Sequence, residues 1–191
     1  MSQHLLDNGL TIDCKIPIGW QVLESIPQTI FLNEMNLQND HLFRLLMHHN
    51  DHQTATLELD KQSHHPDLSL LELKVDVLIG LMSEWIKDNK KLPDKNKVWL
   101  NANGMEWQSN SLPKLNQQVL VSLYLSQRIP SPICFIGKID CLRERDNQTT
   151  ATINFENLEE NIQNSLDKYI FSQHRRAIAR QKMNPQKPSK R

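Results

Sequence analysis

At 191 residues, with 22 Lys and Arg against 22 Asp and Glu, the chain can bury a real core without disulfides or metals, and no overall field draws it to nucleic acid or an acidic membrane. Any electrostatic partner must therefore meet a local patch. Cys14, Cys134 and Cys141 are odd in number and widely spaced, which fits reduced structural thiols better than a disulfide framework or a zinc site.

The N-terminus MSQHLLDNGL has no basic and apolar leader, and no apolar run nears the ~20 residues of a bilayer span, so a cytoplasmic protein without membrane insertion is expected. Leu10, Ile12, Cys14 and Ile16 alternate with polar residues, predicting a half-buried strand over 10–16 that stops at Pro17. Over 33–47, Leu37, Leu42, Leu45 and Leu46 stand near helical spacing, and the polar run HHNDHQ follows. The clearest helix spans 69–89. Ser69 and Glu72 make a capping box, Leu68 and Leu73 are placed as a hydrophobic staple, and Lys90-Lys91-Leu92-Pro93 ends it. Leu71, Val75, Leu78, Met82 and Trp85 step by four, three, four and three, the seam of a coiled coil or bundle, and Leu70, Leu73, Val77 and Leu81 widen the stripe. Any amphipathic helix shows such spacing, but this stripe is wider than one small barrel covers, which favours self-association.

From Lys97 the pattern becomes short alternating strands, predicting a barrel or sandwich. Val98 and Leu100 share a face; so do Val119, Val121, Leu123 and Leu125; then come Phe135, Ile139 and Cys141, and then Ala151, Ile153 and Phe155 with Thr150, Thr152 and Asn154 turned out. These read as four strand units in a meander. Trp107 reads as core, whereas Trp99 stands out of phase with Val98 and Leu100 and is expected to face outward unless another element covers it, as an interdomain or partner contact. Asn157 with Glu160 caps a last helix whose Leu158, Ile162, Leu166, Tyr169 and Ile170 form one apolar face to close the barrel. Beyond it QKMNPQKPSKR reads as a disordered basic tail. The organisation is thus an N-terminal extension over 1–96, a barrel with its closing helix over 97–180, and a tail over 181–191.

The order of strand, turn, strand, further strands and a helix running into Tyr169-Ile-Phe-Ser-Gln-His-Arg-Arg resembles a PilZ domain, the bacterial module that receives cyclic di-GMP. The likeness covers roughly Val98 to Arg180. The upstream heptad helix resembles the atypical, tetramer-forming branch. What the resemblance implies is an α+β fold: an antiparallel β-barrel with a C-terminal helix and a long bundle-forming helix preceding or inserted in it. No catalytic residue, cofactor or polymeric nucleic acid is implied; cyclic di-GMP is the candidate ligand, and the expected partners are copies of the chain, as a tetramer in preference to a dimer, and an unnamed protein.

Two ligand-gripping motifs mark PilZ receptors, R-x-x-x-R before the barrel and [D/N]-x-S-x-x-G at the first hairpin. The second falls on Trp99-Leu-Asn101-Ala-Asn-Gly104, where Gly104 matches, Trp99 replaces the acid or amide and Asn101 replaces the serine. For the first there is no counterpart, since Arg44 is the only arginine before Arg128. Two lost arginine contacts to guanine edges, at roughly 1–3 kcal/mol each, weaken binding by about three decades. Arg176 and Arg180 spell R-x-x-x-R after the barrel, and with Arg175 nearby they could clamp a phosphate, although cations at a helix C-terminus need no ligand. The ligand-binding candidates are therefore Asn101, Gly104, Arg175, Arg176 and Arg180; the interface candidates are Leu71, Val75, Leu78, Met82 and Trp85. The resemblance and the motif losses together imply a non-enzymatic cyclic di-GMP signalling module, an oligomeric interaction adaptor with weak or absent nucleotide binding; the alternative is a true receptor using the C-terminal arginines. His48, His49, His52, His64 and His65 raise a third reading, a metal-dependent enzyme, because His48 and His52 have the spacing of helical zinc ligands; the ordinary reading is a solvated connection, and no metal site is assigned.

Overall fold

The structure is a computed structural model describing residues 9–25, 27–55, 66–89, 91–126, 128–145 and 148–183. In chain order it contains β1 (Ile12–Val22), α1 (Thr29–Ala55), α2 (Pro66–Asn89), β2 (Lys95–Leu100), β3 (Gly104–Gln108), β4 (Gln118–Leu123), β5 (Ile133–Arg145), β6 (Gln148–Glu156) and α3 (Glu160–Met183). The strands form a closed antiparallel barrel in the order β1-β2-β3-β6-β5-β4.

β1 carries the alternation of Ile12, Cys14 and Ile16 through Pro17 and on to Ile18 and Trp20, so the strand does not stop where the proline predicts. Up to Pro17 it pairs with β2, and from Ile18 onward with β4. Proline lacks an N–H for a ladder bond, and here it sits where the strand changes partner. Ile18 N–H donates to the Asp94 carbonyl at 3.3 Å and Tyr124 N–H donates to the Pro17 carbonyl at 3.1 Å, which stitches both neighbours at the switch. The barrel thus takes its first stave from the segment before residue 97.

The expected meander is corrected at one step. β2 pairs with β3, β4 with β5 and β5 with β6 as sequence neighbours, with Val98 opposite Trp107 and Leu100 opposite Met105 in the first hairpin. β3 pairs not with β4 but with β6, and β4 pairs on its other side with β1. Alternation along a strand reports which side chains share a face; it carries no information about which strand lies alongside. Most of the inward set was legible: Val98, Leu100, Val119, Val121, Leu123, Phe135, Ile139, Ala151 and Ile153 are buried, Leu125 and Phe155 are half-buried against the core, and Cys141 is half-buried beyond the register shift that follows Ile139. Phe135 and Phe155 stack with centroids 4.3 Å apart.

α1 is longer than the predicted 33–47, because a polar sequence without Gly or Pro does not break a helix. Its inner face is Met35, Asn36, Asn39, Phe43 and Leu46, whereas Leu37 and Leu45 are exposed. α2 begins at Pro66, three residues before the expected cap, and proline suits a first helical turn. At α3 Asn157 is not the cap, since it adopts a left-handed φ of 56°; the Glu159 carbonyl accepts the first helical bonds from Ile162 and Gln163. Asn36 Nδ2 donates to Glu159 Oε1 at 3.0 Å, tying α1 to that helix start. Ile162, Leu166, Tyr169 and Ile170 join Phe43 and Leu46 over the barrel core, so α1 and α3 close it together. α3 runs to Met183 and so takes in the first three residues of the tail expected to be disordered over 181–191; residues 184–191 lie outside the described residues.

Candidate functional site

Asn101 occupies the family's serine position, and the structure uses it to make the turn. Its Oδ1 accepts from the backbone N–H of Asn103 at 2.9 Å and of Gly104 at 2.8 Å, and Asn101 N–H donates to the Gly104 carbonyl at 3.1 Å. Two outside bonds hold the tip: Phe155 N–H donates to the Asn103 carbonyl and Gln163 Nε2 donates to Asn103 Oδ1, each at 2.9 Å. At Gly104 a Cβ would lie 2.3 Å from the Ile153 carbonyl oxygen, so glycine is required by the approach of β3 to β6. Turn architecture therefore accounts for both residues of the matched motif.

Trp99 does point away from Val98 and Leu100, but it is not open to a partner, being 4% exposed. It lies between Asp13 and Glu106 in register, with Lys97 Nζ 4.7 Å from its ring centroid and 3.6 Å from the Asp13 carboxylate. Beyond it the outer wall of β3 and β6 holds Glu106, Gln108, Thr150 and Thr152; the two threonines are turned out as expected, yet they are buried there. Gln108 Nε2 and Thr150 Oγ1 are buried without a hydrogen-bond partner among the described residues. Period-2 alternation places these groups on the outer wall but cannot show that it is covered.

The arginine candidates stand elsewhere. Arg175 and Arg180 are exposed on α3 and Arg176 is half-buried, thirteen residues past the Gln163 that touches the turn, about 20 Å along the helix at 1.5 Å per residue. Arg176 bears on Tyr169, whose phenol is pushed up by burial first and by neighbouring Cys14, against the lowering influence of that guanidinium. Hence the five ligand-binding candidates form two separate groups. Arg44, on α1, pairs with Asp40 at 2.8 Å.

Chemistry at the thiols is suppressed. Burial, with Asp13 beside it, pushes Cys14 up to about 12, and burial raises Cys134 against a lowering hydrogen bond from Ser122. All three cysteines are free. His48 is exposed on α1, the side chains of His49 and His52 and the whole of His64 and His65 lie outside the described residues, and among the described residues no His, Cys, Asp or Glu group is arranged to hold a metal. No helix among them is long and apolar enough to cross a membrane.

The assembly candidates share one exposed helix. Leu71, Val75, Leu78, Met82 and Trp85 are between 46% and 66% exposed on α2, with Leu70, Leu73, Val77 and Leu81 exposed beside them. Against this, Ser83 is buried and its hydroxyl donates to the Arg128 carbonyl in the loop between β4 and β5. Asn89 Nδ2 donates to the Trp85 carbonyl at 2.7 Å and finishes the helix.

Comparison with known proteins agrees with this architecture. A tetrameric PilZ domain from Xanthomonas campestris, described as self-assembled via an unusual helical bundle, superposes with a TM-score of 0.77 at 17% identity, covering 92% of this chain and 93% of that one. The PilZ domain of YcgR from Escherichia coli, solved with c-di-GMP, matches at a TM-score of 0.39 and 18% identity over 48% of this chain and 79% of its own. No curated protein matches the chain. Residues 36–183 match the profile of the atypical PilZ domain, cyclic di-GMP receptor. That match spans most of the sequence, and the chain belongs to the atypical PilZ family, whose members are non-enzymatic cyclic di-GMP receptors.

Proposed function

We propose that the protein is a cyclic di-GMP signalling module that works as an oligomeric interaction adaptor, with weak or absent nucleotide binding of its own. The observation that carries this is α2, a helix with apolar side chains in water on two adjoining strips while Ser83 and the loop at Arg128 hold its other side. Leu71, Val75, Leu78, Met82 and Trp85 form the first strip; Leu70, Leu73, Val77 and Leu81 form the second. A pair of helices would cover one strip and leave the other wet. In a closed bundle of more than two helices each helix meets two neighbours, so two strips favour an assembly larger than a dimer. The helical bundle of the Xanthomonas tetramer supports the same reading. Covering such side chains at roughly 1.5–3 kcal/mol for each full burial is enough to offset the entropy of association.

Weak nucleotide binding follows from the motif positions. Trp99 and Asn101 stand where an acid or amide and a serine are expected, both are buried, and no arginine pair precedes the barrel. A second reading, a true receptor that grips the nucleotide with Arg176 and Arg180, draws on their helical spacing and the exposure of Arg180. The metal-enzyme reading of the histidines is set aside by membership in a receptor family.

The test combines calorimetry with ultracentrifugation. Titration with cyclic di-GMP should show no micromolar binding; micromolar binding abolished by Arg176→Ala would overturn the adaptor reading in favour of the second. Separately, Leu78→Asp with Met82→Asp should give folded monomers, because both residues are exposed in the protomer. Unchanged assembly would show that α2 is not the contact.

A further inference from the structure

Formal neutrality conceals a division of charge. Eight of the 22 basic residues lie from Lys168 onward and none of the 22 acidic residues does, so the chain carries −8 before Lys168 and +8 from it onward. On α3 the first of these charges alternate with exposed apolar groups: Lys168, Phe171, Arg175 and Ile178 follow one another by three, four and three residues, which lines them along one face. Phe171 is 57% and Ile178 40% exposed, and the Arg175 guanidinium lies over the Phe171 ring at 6.0 Å. The face that closes the barrel is a different one, made by Ile162, Leu166, Tyr169 and Ile170.

The helix macrodipole favours cations at a C-terminus, but it explains neither the exposed Phe171 and Ile178 among them nor the lack of any Asp or Glu over residues 168–191. A nucleic-acid backbone would satisfy the cations and leave the two apolar groups in water. An anionic bilayer interface accommodates both, with ammonium and guanidinium groups among the headgroups and the phenyl and sec-butyl groups just beneath. The net −8 of the rest of the chain is repelled by that same surface, which orients the molecule with this pole towards it. We propose that the Lys168-Phe171-Arg175-Ile178 face of α3 docks the protein peripherally on an anionic lipid surface. A bundle of several copies presents several such faces and binds by avidity.

Flotation of the full-length protein with vesicles tests this. Vesicles containing about one third phosphatidylglycerol in phosphatidylcholine should capture the protein at low salt and release most of it at ~0.5 M salt, and pure phosphatidylcholine should not capture it. Lys168→Gln with Arg175→Gln should weaken capture on the order of 30-fold, about fivefold for each charge. Phe171→Ser with Ile178→Ser should weaken it roughly tenfold or more while leaving the melting temperature unchanged, since both groups are exposed. Equal capture by neutral vesicles, or full capture by the Phe171 and Ile178 variant, would overturn the proposal. So would a change in self-association by ultracentrifugation without a change in capture, which would assign the face to contacts between copies. Flotation is run without nucleotide, and the Phe171 and Ile178 variant leaves every arginine intact, so failure here is separable from the nucleotide test.

Discussion

Gly104 faces the Ile153 carbonyl oxygen at a separation that leaves no room for a side chain, a built Cβ falling 2.3 Å from that oxygen. The obstacle is backbone, which cannot rotate aside. Gly104→Ala is therefore expected to part β3 from β6 locally and to destabilise the fold by about 1–3 kcal/mol or more, as overpacking does. A urea midpoint equal to that of the parent protein would refute this account of the glycine.

The neighbouring turn gives a complementary prediction. Asn101→Ala removes the acceptor of two backbone N–H groups, those of Asn103 and Gly104, and should cost about 1–3 kcal/mol. Asn101→Asp keeps an acceptor oxygen at the same reach and should recover most of the loss. Thermal melts of the two variants would separate a turn role from a ligand role, because a residue kept only for ligand would leave both melts unchanged.

α1 is held to the barrel by a buried two-way clamp. Asn39 Nδ2 donates to the Cys134 carbonyl at 2.7 Å, and Asn39 Oδ1 accepts from Cys134 N–H at 3.0 Å. Replacing Asn39 with Leu leaves both backbone groups of Cys134 without this partner, and a loss of about 2–4 kcal/mol is expected. Hydrogen exchange at the Cys134 amide should quicken relative to Val121, deep in β4. Unaltered protection would show that α1 does not shield this strand.

Stability should also fall in alkali. Cys14 is raised in the fold from 9.0 to about 12, so above pH 9 the unfolded chain releases a proton that the folded chain retains. The stabilisation is complete below pH 9 and is lost as pH rises towards 12, with a slope of up to about 1.4 kcal/mol per pH unit from this group. Cys134 and Tyr169, also raised by burial, add to the same trend. Denaturation at pH 8 and pH 10 should show Cys14→Ala losing less than the parent protein; equal losses would mean that the thiol does not couple to folding.

Some of the site was readable before any coordinates. The heptad stripe from Leu71 to Trp85 was visible because helical spacing is local and because its apolar residues are too numerous for one barrel to cover. Trp99 shows where that reasoning stops. Its phase was read correctly as outward, but its burial beside Asp13 and Glu106 depends on strands brought together from distant parts of the chain. Thr150 and Thr152 escaped for the same reason. The missing arginine pair was legible by composition, whereas the separation of Asn101 and Gly104 from Arg176 and Arg180 needed the axis of α3.

By itself the sequence determined which residues of each strand share a face, that the β2 to β3 turn is a hairpin, that α2 is apolar beyond its own needs, and that the C-terminal helix closes the barrel. These are properties of neighbours along the chain, set by the periods of two and 3.6. Tertiary structure alone decided that β1 passes through Pro17 to join β2 with β4, that β3 lies against β6, and that Asn36 of α1 meets Glu159 at the start of α3. Those pairings join residues many tens of positions apart, where the free energy of closing the barrel selects the partner and local periodicity is silent.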